Sequence, residues 1–223
     1  PAAPATITDD FEATAVYEVL VRTLTVASRH STPTPGVGTH IYDWGSELTC
    51  TVASPVGDNA VRQVCTGWTG TGSVPATGDA VNTGTLTLTE DSSITWHWEK
   101  EYWLDTEVNG NGSIDVADQW VAEGESAAIT ASPDEHHTFT GWTGDTQGCT
   151  IDENVLTAPM FSARTITASF AVRQFTVTFL PADHGVLPGS ATQVVETVDS
   201  GSPPPTPPTP TADAGWQHIG WDW

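Results

Sequence analysis

Twelve residues, Glu107-Val108-Asn109-Gly110-Asn111-Gly112-Ser113-Ile114-Asp115-Val116-Ala117-Asp118, carry the oxygen-rich pattern best suited to holding a cation. Calcium takes an all-oxygen shell, and Glu107, Asn109, Asn111, Asp115 and Asp118 stand at positions one, three, five, nine and twelve of a calcium loop, with glycine at six and isoleucine at eight. Against a metal stand the glutamate at position one, where aspartate is usual, the aspartate at position twelve, and the want of flanking helices. A glycine-rich hairpin turn accounts for the same residues and is the simpler expectation. Calcium is thus the one cofactor to weigh.

Three cysteines, Cys50, Cys65 and Cys149, are too few for a zinc ribbon and lack its paired spacing. In an oxidising exterior, neighbouring antiparallel strands could join Cys50 to Cys65 as a disulfide and leave Cys149 free. His136 and His137 are adjacent, so on a strand they point to opposite faces and do not chelate one metal as a pair. No serine stands in a Gly-x-Ser-x-Gly elbow, and no carboxylate pair is singled out as acid and base. The Gly-rich segments lack the lysine and helix of a phosphate cradle. The chain is expected not to be an enzyme.

Strands must position whatever these residues do. Glycine numbers 20 and proline 16, threonine is abundant, and lysine plus arginine number only six, so many short strands joined by turns are favoured over amphipathic helices. The formal net charge of −22 argues against nucleic acid and anionic membrane as partners, since both require a basic patch. The carboxylates are expected mainly to solvate exposed faces and suppress edge-to-edge association. No run of 18 apolar residues is present to span a membrane, and Pro1 to Thr6 lack the features of a signal peptide.

An order of features recurs three times. In the second copy, Tyr102 to Val108 opens and the turn Asn109 to Gly112 follows. A strand is expected around Ser113 to Val121, then come Ala127 to Ala131, His137-Thr138-Phe139-Thr140-Gly141-Trp142, and a closing strand Thr165 to Phe170. The first copy opens at Leu24-Thr25-Val26, passes Gly67-Trp68, and closes at Ile94-Thr95-Trp96-His97-Trp98. The third opens at Phe175 to Phe179 and reaches Gly220-Trp221. The Gly-Trp pairs lie 74 and 79 residues apart, one module per period. A glycine directly before tryptophan suggests a positive φ or a close approach, with the indole anchoring a small core. Core positions are therefore expected for Trp68, Trp142 and Trp221, and for the closing aromatics Trp98 and Phe170, although a tryptophan can also serve as a sugar-stacking platform.

Ala131-Ser132-Pro133, Phe139-Thr140-Gly141-Trp142 and Ile166-Thr167-Ala168-Ser169-Phe170 resemble the internalin-type B-repeat and its divergent relatives, which occur in tandem on bacterial surface and secreted proteins. The third copy is similar to another branch of that family, with its proline run Pro203 to Pro208 before Gly215-Trp216. The resemblance implies a mainly β chain of serial small β-grasp-like modules forming an elongated array, and it brings no catalytic residues. The implied divisions are 1–20, the closing strand of a preceding or complementing module; 21–101 and 102–172, two modules; and 173–223, a third lacking its closing end. Ala15-Val16-Tyr17 lines up with Ala168-Ser169-Phe170.

Two roles follow as expectations. One is a structural or adhesive repeat of an extracellular bacterial surface protein, acting as a stalk or, by strand complementation, as a head-to-tail fibre subunit whose partners are copies of itself or flanking repeats. The other is an adhesin module that binds a glycan or a host or neighbouring surface protein through exposed tryptophans such as Trp44, Trp103 or Trp120.

Overall fold

Strand β1 (Val21–Ala27) shows the alternation that drives the whole fold: Leu24 and Val26 are buried, while Thr25 between them faces solvent. The computed structural model describes residue 12 and residues 14–222, and among these the protein is mainly β, with no α-helix and one 3-10 turn at Pro188–Ser190. It divides into two compact units. One runs up to Asp58 and resumes at Arg62–Lys100; the other joins Asn59–Val61 to the chain from Glu101 onward.

In the first unit β1 pairs antiparallel with β2 (Gly38–Asp43), and β3 (Ser46–Thr51) with β7 (Asn82–Leu88). Two-residue strands β4 (Val56–Gly57) and β6 (Thr77–Gly78) flank β5 (Val61–Thr71), which carries Gly67-Trp68. The long strand β8 (Ser92–Asn109) gives its residues up to Lys100 to this unit. There it lies parallel to β1, from Leu24 opposite Ser92 to Ala27 opposite Thr95, and it also pairs with β5. Leu24, Val26, Cys50, Trp68, Leu88, Ile94 and Trp96 pack into one core, where Trp68 and Trp96 meet edge to face at 5.4 Å.

In the second unit the remaining residues of β8 pair antiparallel with β10 (Gln119–Ala122) and parallel with β15 (Arg164–Val172). The parallel register runs from Leu104 opposite Arg164 to Asn109 opposite Ser169. Strand β12 (His137–Gly144), carrying Gly141-Trp142, lines the other edge of β15 antiparallel, with a bulge between Phe139 and Gly141. A second sheet, β13 (Thr150–Asp152), β14 (Val155–Pro159), β11 (Ser126–Pro133) and β9 (Gly112–Ile114), contributes Ala127, Ile129, Leu156 and Ala158 to the core with Leu104 and Ile166.

The single strand expected over Ser113 to Val121 is two: β9 joins β11 in one sheet and β10 joins β8 in the other. Aspartates make the crossing possible. Thr130 N–H donates to Asp115 Oδ1 at 2.6 Å and Thr106 N–H to Asp118 Oδ1 at 2.8 Å, so carboxylates replace ladder partners where the chain changes sheets.

The third copy begins with β16 (Gln174–Phe179), antiparallel to β18 (Val194–Asp199), while β17 (Gly185–Val186) pairs with β19 (Thr211–Ala212). Among the described residues no strand lies on the other edge of β16. Among the described residues its buried apolar side chains are Phe179 and Leu187, whereas Phe175, Leu180, Val195, Trp216 and Ile219 are exposed.

Candidate functional site: the open edge of the third copy

In copies one and two the closing strand occupies one position, parallel to the opening strand and beside the strand that bears Gly-Trp. The glycine of each Gly-Trp pair has positive φ: +118° at Gly67, +140° at Gly141 and +148° at Gly220. The indole that follows then meets closing-strand side chains. Trp68 meets Trp96. Trp142 stands opposite Ala168 in the ladder and packs on Phe139 at 5.3 Å, which in turn meets Phe170 at 5.7 Å.

Phe170 also covers the turn that follows its opening strand. A Cβ added at Gly112 would sit 2.6 Å from the Phe170 ring, and one at Gly110 would strike the Phe170 carbonyl, so both glycines are required by this close approach.

Copy three carries a Gly-Trp pair and an opening-strand turn as well. An open cavity of about 470 Å³ is bounded by the turn from Pro181 to Gly185, by Thr211 and Ala212, and by Trp216 to Asp222. Trp221 meets Phe179 at 5.2 Å and His218 at 5.7 Å, and the His184 ring lies flat on Trp216, 3.8 Å between centres. A Gly-Trp indole and the turn after β16 thus border one cavity.

Residues 102–174 match the model of the divergent InlB B-repeat domain. The match starts at the opening strand and ends just past the closing strand. No curated protein and no solved structure matches the chain. InlB-type repeats occur in bacterial surface proteins, and among the described residues no helix is long and apolar enough to cross a membrane.

Within this segment the five calcium candidates are not gathered, and no group of three or more His, Cys, Asp or Glu able to hold a metal occurs among the described residues. Each is engaged apart. Glu107 Oε2 accepts from Thr167 Oγ1 at 3.1 Å, Asn109 ends β8 opposite Ser169, and Asn111 Nδ2 lies 3.1 Å from His137 Nε2. Asp115 and Asp118 cap the threonine amides named above. The Thr130 N–H holds the Asp115 carboxyl below the usual carboxylate range, and the Thr23 N–H does the same for Asp91. Asp145 caps Thr165 N–H in the same way at 3.0 Å. This recurring Asp-to-Thr cap escaped the sequence reading; its signal is an aspartate at a strand end, among chains rich in threonine.

The disulfide expected between Cys50 and Cys65 is not formed: both are buried free thiols of the first core, and Cys149 is free and partly exposed. Cys65 is turned to its own strand, where Gly67 N–H donates to Sγ at 3.4 Å. Burial pushes the Cys50 thiol up to about 11. The Cys149 thiol is raised by burial too, with Arg164 opposing.

Among the expected core aromatics, Trp68 and Phe170 are buried, while Trp98, Trp142 and Trp221 are partly buried; the Trp98 indole N–H donates to Ser28 Oγ at 3.0 Å. Trp44 is exposed, whereas Trp103 and Trp120 are partly buried, opposite each other on β8 and β10, with rings 5.2 Å apart.

Proposed function

We propose that this chain is the repeat region of a secreted bacterial surface protein, a non-enzymatic stalk of serial β-grasp-like modules that also extends head to tail by strand complementation. The observation that carries this reading is the closing strand, which lies parallel to the opening strand in copies one and two and runs straight into the next opening strand. A strand edge is a template for an added strand, and a contact between unlike surfaces propagates without closing. The B-repeat match supports the surface location, and the alternation of turns and short strands supports a spacer. Its partners are copies of itself or flanking repeats, with no role for nucleic acid, membrane insertion or a cofactor.

Electron microscopy and sedimentation of the purified chain test this. Rods or filaments that lengthen with concentration are expected; compact monomers at every concentration would overturn the fibre.

One observation favours a second reading, an adhesin module. The Trp103–Trp120 pair lies beside a cavity of about 280 Å³ that Trp103 borders with Asp105, Asp145 and Arg164, an aromatic face flanked by polar groups of the kind that binds sugars. Glycan-array binding lost in Trp120→Ala would establish it.

A further inference from the structure

We propose that the cavity beside Trp103 binds a neutral sugar ring and turns acidic sugars away. The inference rests on the adhesin reading of that cavity and names its ligand class and the side chains that select it.

Every residue that borders the cavity belongs to the second unit, Asn59 and Ala60 included, and Trp103 N–H donates to the Ala60 carbonyl at 3.0 Å. Its polar groups are fixed before any ligand arrives. Arg164 Nε donates to the Pro159 carbonyl at 3.2 Å, and Nη1 donates to the carbonyls of Asp145 and Gln147 and to Cys149 Sγ. Asp145 Oδ2 accepts the Thr165 N–H at 3.0 Å, and Asp105 Oδ2 accepts the Thr165 hydroxyl at 3.2 Å. Each side chain is held by one end and keeps the other in reserve. Among the described residues, Arg164 Nη2, Asp145 Oδ1, Asp105 Oδ1 and the Asn59 amide enter no hydrogen bond or ion pair. Polar groups already immobilised lose little freedom when a ligand engages them.

The kinds of valence left over choose the ligand. Two carboxylates need donors, and one guanidinium needs an acceptor. A hydroxyl supplies both through one atom, so neighbouring hydroxyls of a sugar donate to Asp105 and Asp145 and accept from Arg164 Nη2. An ammonium offers donors alone and leaves Arg164 unpaired. A carboxylate offers acceptors alone, and it meets two negative groups and one positive group, a net −1, in a chain whose formal net charge is −22.

Trp103 adds an apolar face for the C–H side of a ring, with the Trp120 ring set against it at 5.2 Å and an angle of 59°. The volume of about 280 Å³ lies at the small end of ligand pockets, which run roughly 300–1,000 Å³. It suits one terminal ring with the rest of the glycan in solvent.

An array of galactose- and glucose-terminated oligosaccharides, printed beside their galacturonate- and glucuronate-terminated counterparts, tests this with the full chain. Multivalent display makes the weak affinity of a single ring readable. The neutral members are expected to bind on the order of tenfold or more tightly than the acidic ones. Asp105→Asn combined with Asp145→Asn keeps the shape of both side chains and reverses the charge balance, so the acidic members are expected to gain on the neutral ones by a similar factor. Asp105→Asn alone, which leaves the Asp145 cap of Thr165 intact, is expected to move the ratio the same way by less. Acidic sugars bound by the parent as tightly as neutral ones, or a ratio unmoved in both variants, would overturn this inference and leave the adhesin reading standing. If no sugar binds, both fail.

Discussion

Copies two and three share an opening hairpin, β8 with β10 and β16 with β18, and both place a Gly-Trp pair beyond it. Copy two buries Tyr102, Leu104, Ile129, Leu156 and Ile166 in one cluster and Phe170 in an adjoining one, whereas copy three buries Phe179 and Leu187. The difference teaches that the hairpin does not own the core. A two-stranded ribbon has one face to bury and nothing to bury it against, and Phe175 on β16 stays 53% exposed for that reason. The closing strand supplies both the missing ladder and the side chains that make burial possible.

The sharpest way to break this comparison is to remove one aromatic from each copy. Phe170→Ala leaves a cavity between the Gly110–Gly112 turn and Phe139 and is expected to cost about 3–5 kcal/mol. Phe175→Ala, at an exposed position, is expected to change stability by about 0.5 kcal/mol or less. Urea denaturation followed by tryptophan fluorescence measures both; equal costs would show that copy three has a core of its own.

A smaller effect tests closure in copy one through its buried thiol. Cys50 is held at about 11 in the folded protein against an ordinary 9.0, so the unfolded chain loses its proton first as pH rises. Stability is fully present below pH 9.0 and falls between there and about 11, by an amount on the order of 2–3 kcal/mol. In Cys50→Ala that alkaline slope should flatten. Native-state labelling at neutral pH should modify Cys149 first, with Cys50 and Cys65 reacting only on unfolding; recovery of a single thiol after denaturation would restore the disulfide.

The smallest effect concerns the sheet crossing in copy two. Because Thr130 N–H lowers the Asp115 carboxyl, its contribution is present above the ordinary carboxylate range and is lost as pH falls through the lowered value. Asp115→Asn is expected to lower Tm slightly at neutral pH and to leave it unchanged in acid, where the parent's carboxyl is protonated. A constant difference across the titration would mean that the side chain acts only through its shape.

Much of the strand content was legible because alternation is local: Leu24-Thr25-Val26 and Ile166-Thr167-Ala168 declare their faces within three residues. So was the likeness of residues 102–174 to the B-repeat, carried by Gly141-Trp142 and the closing strand. The break within Ser113 to Val121 was not legible, because the choice between pairing with β8 and with β11 is made by residues far away in sequence. Nor was the work of Asp115 and Asp118. The same oxygens that suit a calcium ion also suit a backbone N–H, and only the positions of Thr130 and Thr106 decide between them. The cysteines misled for a related reason: two thiols in one core satisfy the spacing argument, yet Cys65 faces its own strand.

The parallel pairing of β8 and β15 has a mechanical consequence. The chain enters this module at the start of its portion of β8 and leaves at the end of β15, and the strands run the same way, so opposite pulls on the two ends slide one strand along the other. Six registered pairs, from Leu104 with Arg164 to Asn109 with Ser169, then resist together in shear rather than unzipping in turn. Stretching a single molecule by its ends should therefore show a high, abrupt rupture for copy two and a low, gradual one for copy three, whose β16–β18 hairpin peels from one end.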